Sequence, residues 1–341
     1  MVARSKETPS RRFSIGVVGA RGFTGKILLG LIANHPALDL VFAASRGLAG
    51  TLVSAVAPRV AGTLRFEAMD EHAAAARPVD AVILATPDGA ASMYSAAIAK
   101  SAPETVIIDL SADHRFDDDW EYGLPELRRL KGEGTRLRGA RRIANPGCYA
   151  TAMQLAIAPL LERLAGTPSV FGVSGYSGAG TTPNKRNDPA ILRDNLLPYG
   201  LTGHKHEREA TRHLGRSVRF SPHVHPAYRG LLTTVHVPLK APTEKQNLRD
   251  IFHAAYGREP LITLQDEAPN LRDGSGHAGV IIGGFETSYD NPHAVLVAAE
   301  DNLLKGAAVQ AMQNLNLALG LGEFWGLDEL CGLSTGNAFI E

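Results

Sequence analysis

Apolar and polar positions fall in alternating blocks along the first 145 residues. Phe13–Val18 is a short apolar, β-branched run, a glycine-rich turn at 19–25 breaks it, and residues 26–36 carry helical periodicity. Further apolar runs at 40–45, 79–86 and 105–112 read as strands, with an alanine-rich helix at 71–78 between the second and third strands of the series. Apolar strands alternating with helical segments predict a parallel sheet covered on both faces. Near residue 145 the pattern changes. Residues 149–164 are apolar almost all round, which predicts a buried helix.

Beyond that helix, runs at 169–180, 217–224, 230–239, 261–266, 278–288 and 293–301 read as strands, with helices near 206–214 and 244–256. The expectation is an α/β protein: a Rossmann-type parallel sheet over 1–147, then an α+β domain of mixed or antiparallel sheet over 148–302. The stretch 302–321 is helical and ends in glycines; the tail from 303 to 341 could pack back on the first domain or belong to the second, and the sequence does not choose between them. No internal repeat or low-complexity segment interrupts this scheme.

The length of 341 residues suits two domains. Hydrophobic residues at 44% and charged residues at 21% exclude a disordered chain. Lys+Arg 35 against Asp+Glu 35 leaves no basic footprint for nucleic acid or an anionic membrane. No apolar run reaches the ~18 residues that a membrane span needs. The opening MVARSKETPSRRF is basic but has no apolar stretch behind it, so a secretory signal is not expected, and Glu7 speaks against a transit peptide. Two cysteines, Cys148 and Cys331, are too few for a disulfide framework or a metal cluster and point to a reducing compartment.

Candidate chemistry begins with Gly19, Gly22 and Gly25, spaced three apart between a strand and a helix. Glycines there let the backbone turn tightly and approach a pyrophosphate lying on the helix N-terminus. The second strand ends in Ser45-Arg46 with no carboxylate for a ribose 2′-hydroxyl, which favours a 2′-phosphate and therefore NADP(H). Cys148 follows Asn145-Pro146-Gly147 at a helix start, where backbone N–H groups and the positive helix end are expected to lower a thiol pKa. Cys331 has no such setting and reads as inert. His204 and His206 flank Lys205 at a second helix start, and no third ligand at suitable spacing accompanies them to make a metal site. No metal is expected.

The runs Asn145–Tyr149, Ser174–Gly180 and His204–Glu207 resemble the N-acetyl-γ-glutamyl-phosphate reductases, a family of the semialdehyde-dehydrogenase superfamily. Gly19–Gly25, Asp109–Asp113 with Arg115, Arg229-Gly230 and Asp301–Ala308 extend the resemblance in the family's order from residue 14 to about 320. The stretch from Gly175 to Pro189 is closer to the fungal variety than to the commonest bacterial one, in which a basic residue follows Gly-Ala-Gly directly; Lys185 is the residue that stands in question for that role.

The resemblance implies an NADPH-dependent acyl-phosphate reductase of arginine biosynthesis, cytoplasmic and homo-oligomeric, acting on a small-molecule substrate. It implies Cys148 as the nucleophile and one of His204 and His206 as the acid/base, with His204 favoured. It places Gly19, Gly22, Phe23, Thr24, Gly25, Ser45, Arg46, Pro87, Ser111, Gly178 and Asn302 at the cofactor. It places Arg115, Asn145, Ser177, Gly178 and Arg229 at the substrate. An aminoadipyl phosphate, one methylene longer, and aspartate-semialdehyde dehydrogenase chemistry are the rival readings, and a non-catalytic NADP-binding module is the rival from another class.

Overall fold

The computed structural model describes residues 11–134, 136–327 and 330, so Cys331 and the first ten residues lie outside the described part. Seven strands form a wholly parallel sheet: β1 (Phe13–Val18), β2 (Leu38–Ala44), β3 (Phe66–Glu67), β4 (Ala81–Leu84), β5 (Val106–Asp109), β6 (Glu121–Tyr122) and β7 (Arg142–Ala144). Their order is β3-β2-β1-β4-β5-β7-β6. The chain winds outward from β1 in one direction and then from β4 in the other. A crevice therefore opens between the carboxyl ends of β1 and β4, the place where such sheets take their ligands.

The second sheet is mixed. It contains β8 (Ser169–Gly175), β9 (Leu197–Pro198), β10 (Arg219–His225), β11 (Leu231–Pro238), β12 (Ile262–Leu264), β13 (Val280–Ser288) and β14 (His293–Glu300), in the order β12-β13-β14-β11-β8-β10-β9. One of its faces packs on the Cys148–Ile157 helix, whose residues Tyr149 to Ile157 are all buried as the all-round apolar pattern predicts. The other face carries Phe171, 43% exposed, beside half-buried Leu232, Val295 and Val297.

The helix Ala91–Ser101 and the short strands β3, β6 and β7 are additions to the sequence reading. The tail helix Val309–Ala318 places Met312 and Leu315, both fully buried, in the same core as Ile15, Leu28 and Ile108 of the parallel sheet's domain. Each such side chain contributes roughly 1.5–3 kcal/mol by leaving water. Before that helix, Leu304–Ala308 forms one π-helical turn. There the fully buried Lys305 donates from Nζ to Glu126 Oε1 at 2.7 Å and to Gln313 Oε1 at 2.6 Å. No helix among the described residues is long and apolar enough to cross a membrane.

Candidate active site

A single cavity of about 990 Å³ runs from the glycine turn to Cys148. At its nucleotide end Gly19 has φ +81°, and a Cβ there would fall 2.2 Å from the carbonyl oxygen of Ala85, so β1 and β4 approach too closely for any side chain. Gly22 caps the Phe23–Asn34 helix without a side-chain hydrogen bond, leaving the first-turn N–H groups of Phe23, Thr24 and Gly25 without intrahelical partners at the cavity wall. Ser45 and Arg46 line the same end. Arg21, which the sequence reading passed over, reaches across to within 2.9 Å of where a Cβ of Gly47 would stand, giving that end a second guanidinium. Glu71 lines it as well.

Pro87 and Ser111 close the crevice from the ends of β4 and β5. Ser111 is fixed by the buried Asp109, which accepts from its N–H at 2.8 Å and its hydroxyl at 2.9 Å. Asp109 also meets His114 Nδ1 at 2.7 Å, and the His114 ring stacks on Trp120 at 3.8 Å. These bonds tie the loop after β5, and with it Arg115, to the sheet.

At the other end the chain leaves β7 through Asn145, whose Oδ1 accepts from Asn314 of the tail helix at 2.8 Å. Gly147 is the extended N-cap and Cys148 the first residue of the helix. The buried Glu209 accepts the Gly147 N–H at 2.9 Å and the Tyr122 hydroxyl at 2.8 Å, and pairs with Arg115 at 3.0 Å. Arg115 also donates from Nε and Nη2 to the carbonyls of Asn145 and Leu110. It lines the cavity but is held as a brace.

His206 and Glu209 share one face of the Lys205–Leu214 helix, three residues apart. His206 is buried against Gly147, where a Cβ would fall 2.3 Å from its Nε2. His204 is the N-cap of that helix and accepts the His206 N–H on Nδ1 at 3.2 Å. Both imidazoles line the cavity, their rings 5.0 Å apart, because the helix begins only after His204 and regular i, i+2 geometry does not apply.

The thiol does not follow the helix-end expectation. Burial, with the Glu300 carboxyl next in weight, pushes Cys148 up to about 12, against the Tyr149 N–H and the Arg115 and Lys205 cations that pull it down. Desolvation outweighs the helix end. Burial and the neighbouring Lys205 and Arg186 lower His204 to about 4, and burial and Arg115 hold His206 well below the usual range. Both imidazoles are therefore neutral at physiological pH and able to accept a proton. Glu300, fully buried and without a hydrogen-bond partner for either oxygen, is held well above the carboxylate range by burial. Gly306 separates it from Cys148: a Cβ there would lie 2.6 Å from Cys148 Cβ and 2.7 Å from Glu300 Oε1.

Ser177, Gly178 and Asn302 lie on the cavity wall, with Asn302 donating to Ser177 Oγ at 2.9 Å. Arg229 is not on that wall; its Nε pairs with Asp301 at 2.5 Å. Lys185 is exposed and off the wall, whereas its neighbour Arg186 lines the cavity. His223 and His225 are likewise off it. Among the described residues no group of three or more His, Cys, Asp or Glu is placed to hold a metal ion.

Residues 14–133 match the family model described as semialdehyde dehydrogenase, NAD binding domain, and residues 148–302 match semialdehyde dehydrogenase, dimerisation domain. The crystal structure of aspartate semialdehyde dehydrogenase II from Vibrio cholerae superposes with a TM-score of 0.73 at 20% identity, over 91% of this chain and 99% of that one. Aspartate semialdehyde dehydrogenase with NADP from Candida albicans superposes at 0.67 and 16% identity, over 91% and 98%. At these identities the likeness is one of fold. N-acetyl-gamma-glutamyl-phosphate reductase of Xanthomonas campestris pv. campestris (strain B100) is 55% identical over 91% of this chain and 96% of its own. The enzyme of the same name from Xylella fastidiosa (strain M23) is 52% identical over 91% and 94%. A glycine turn and a helix-borne cysteine on one cavity, with this identity along nine-tenths of the sequence, place the chain in the N-acetyl-gamma-glutamyl-phosphate reductase family of semialdehyde-dehydrogenase-type oxidoreductases.

Proposed function

We propose that the chain reduces N-acetyl-γ-glutamyl phosphate to N-acetylglutamate semialdehyde and phosphate with NADPH, in arginine biosynthesis, through a thioester on Cys148. One observation carries the reading: the glycine turn at 19–25, Cys148 and His206 line the same cavity. Neutral His206 takes the thiol proton as sulfur attacks the acyl carbon and the bond to phosphate breaks. General-base help of this kind is worth about 10²–10⁴ in rate. Gly19, Gly22, Phe23, Thr24 and Gly25 hold the pyrophosphate, Ser45 and Arg46 with Arg21 hold the 2′-phosphate, and Pro87, Ser111, Gly178 and Asn302 hold the rest of the cofactor. When bound, NADPH supplies the hydride to the thioester carbon. The resulting tetrahedral oxyanion is stabilised by the His206 imidazolium, which returns its proton to sulfur as the C–S bond breaks and the aldehyde leaves.

In this reading His206 takes the acid/base role in preference to His204, whose Nδ1 is engaged as a helix cap and whose ring leans on Tyr199 at 5.4 Å. Residues 1–147 with the tail from 303 form the cofactor domain, and residues 148–302 form the catalytic domain. The open face of the mixed sheet around Phe171 supports homo-oligomerisation there, and the reductase works in the cytoplasm.

The test is a comparison of kcat/KM for N-acetylglutamyl, aminoadipyl and aspartyl phosphates, or for their semialdehydes in reverse. One methylene is worth only ~1–3 kcal/mol in a pocket. N-acetylglutamyl phosphate is expected to lead by tenfold or more on that scale. A lead for either rival overturns the substrate assignment.

A further inference from the structure

Five cationic side chains line the cavity: Arg21, Arg46, Arg115, Arg186 and Lys205. Arg21 and Arg46 stand at the nucleotide end. Glu209 neutralises Arg115, and Asp88 neutralises Lys205 at 2.6 Å. Arg186, half-buried at the thiol end, has no carboxylate within ion-pair distance among the described residues. Its guanidinium stands 5.0 Å over the ring of Tyr199, which packs at 5.4 Å from His204. Tyr199, His204, His206 and Cys148 line the same cavity as Arg186, and the His204 ring lies 5.0 Å from that of His206, which rests on Gly147.

The loop holding Arg186 is braced from within. Its N–H donates to Asn184 Oδ1 at 2.9 Å, and the Asn184 N–H donates to Asn187 Oδ1 at 2.8 Å. The Asn187 amide donates in turn to the carbonyls of Gly180 at 2.9 Å and Thr182 at 2.8 Å. Gly180, Thr181 and Thr182 share the cavity wall with Arg186. An uncompensated guanidinium held in a fixed, partly desolvated loop is a site for an oxyanion.

We infer that Arg186 binds the phosphate of the acyl phosphate substrate and receives it as the leaving group. The inference rests on the proposed reaction and deepens it. As sulfur bonds to the acyl carbon, the carbon–oxygen bond to phosphate breaks and its electron pair stays on the phosphate, where the guanidinium offsets the growing charge. The phosphate is assigned rather than the distal carboxylate because it departs from the carbon that Cys148 attacks, and Arg186 lies on that side, next to Tyr199. Arg115 is already charge-paired with Glu209 and bonded to the Asn145 and Leu110 carbonyls, and Arg229 is off the wall.

The reverse reaction separates the two anions, since semialdehyde and inorganic phosphate enter as independent substrates. Arg186→Gln is expected to raise the phosphate KM by about tenfold or more while the semialdehyde KM stays within about twofold, with Arg186→Lys between wild type and Gln. An unchanged phosphate KM, or a rise in the semialdehyde KM alone, overturns the assignment. A second readout does not depend on turnover. Inorganic phosphate should slow alkylation of Cys148 by iodoacetamide in the wild-type protein and lose that protection in Arg186→Gln, with thermal melting and NADPH binding of the variant confirming its fold. If wild type fails to turn over this semialdehyde, the functional reading falls, and equal protection in wild type and variant then rejects the Arg186 site by itself.

Discussion

His206 rests on Gly147: a Cβ at residue 147 would fall 2.3 Å from His206 Nε2 and 2.6 Å from an Arg115 guanidinium nitrogen. The residue before Cys148 is thus the seat of the imidazole and of the Arg115 guanidinium. Gly147→Ala is expected to displace both, lowering kcat on the order of 10²-fold, as small misplacements of catalytic groups do. NADPH affinity, measured by fluorescence titration, should change less than about twofold in the same scale of effects. A variant with wild-type kcat would show that the imidazole position does not matter to the chemistry.

The two histidines should separate cleanly. His206→Asn is expected to lower kcat by about 10²–10⁴ and to remove the base that lets the thiol react near neutrality. His204→Asn keeps an N-cap side chain and should cost little stability, while His204→Ala should cost roughly 1 kcal/mol through the lost cap. If steady-state kinetics show the larger loss at His204, the roles are reversed.

Cys148→Ser should abolish turnover with NADPH binding intact, because an alkoxide is much harder to form than a thiolate. Since burial pushes the thiol up to about 12, its alkylation by a neutral reagent should be slow at pH 7 in the free protein and climb steeply with pH. Fast, pH-independent alkylation near neutrality would mean that the thiolate is already present.

Arg46→Ala, and Arg21→Ala beside it, should weaken NADPH far more than NADH. A charge-assisted bond to the 2′-phosphate is worth about 1.5–3 kcal/mol, or roughly tenfold to a hundredfold. Equal losses for the two nucleotides would leave these arginines a structural role.

His213 offers a stability test away from the thiol. Its ring stacks on Tyr122 at 3.5 Å, and burial lowers it to about 4 despite the Arg115 carbonyl and Glu209. The unfolded chain takes up a proton near 6.5 that the folded protein does not bind until about 4, so the stabilisation is complete above 6.5 and is lost as pH falls toward 4. The buried Glu300, raised by burial, works in the opposite sense, so the comparison has to be with His213→Asn. The melting-temperature advantage of wild type over that variant should shrink between pH 7 and 4. An advantage that grows on acidification contradicts the neutral, buried imidazole.

Much of the site was legible from local pattern. Gly19–Gly25 and the Asn145–Cys148 turn each sit where a strand gives way to a helix, and a turn's chemistry is written in a few adjacent residues. Arg186, Arg21, Glu209 and Glu300 carry no such signal, since each matters through a partner distant in sequence: Tyr199, Gly47, Arg115 and Cys148. The direction of the thiol's shift was missed for the same reason. A helix start is local, but the burial and the Glu300 carboxyl that override it come from parts of the chain distant in sequence. The helix Ala91–Ser101 was overlooked because its alanines and serines give little contrast between faces, and β3, β6 and β7 are too short to show alternation.

The tail helix has a consequence for how the protein is made. Met312 and Leu315 finish a core begun by Ile15 and Leu28, so the cofactor half is discontinuous, with the mixed-sheet half inserted inside it. On the ribosome, the inserted half has its whole sequence available first. The N-terminal half cannot complete its core until residues 309–318 have emerged, and only then can the Asn314–Asn145 bond form behind the turn that carries Cys148. A chain released early would therefore lack an ordered Cys148 turn even though the cysteine itself had long been synthesised.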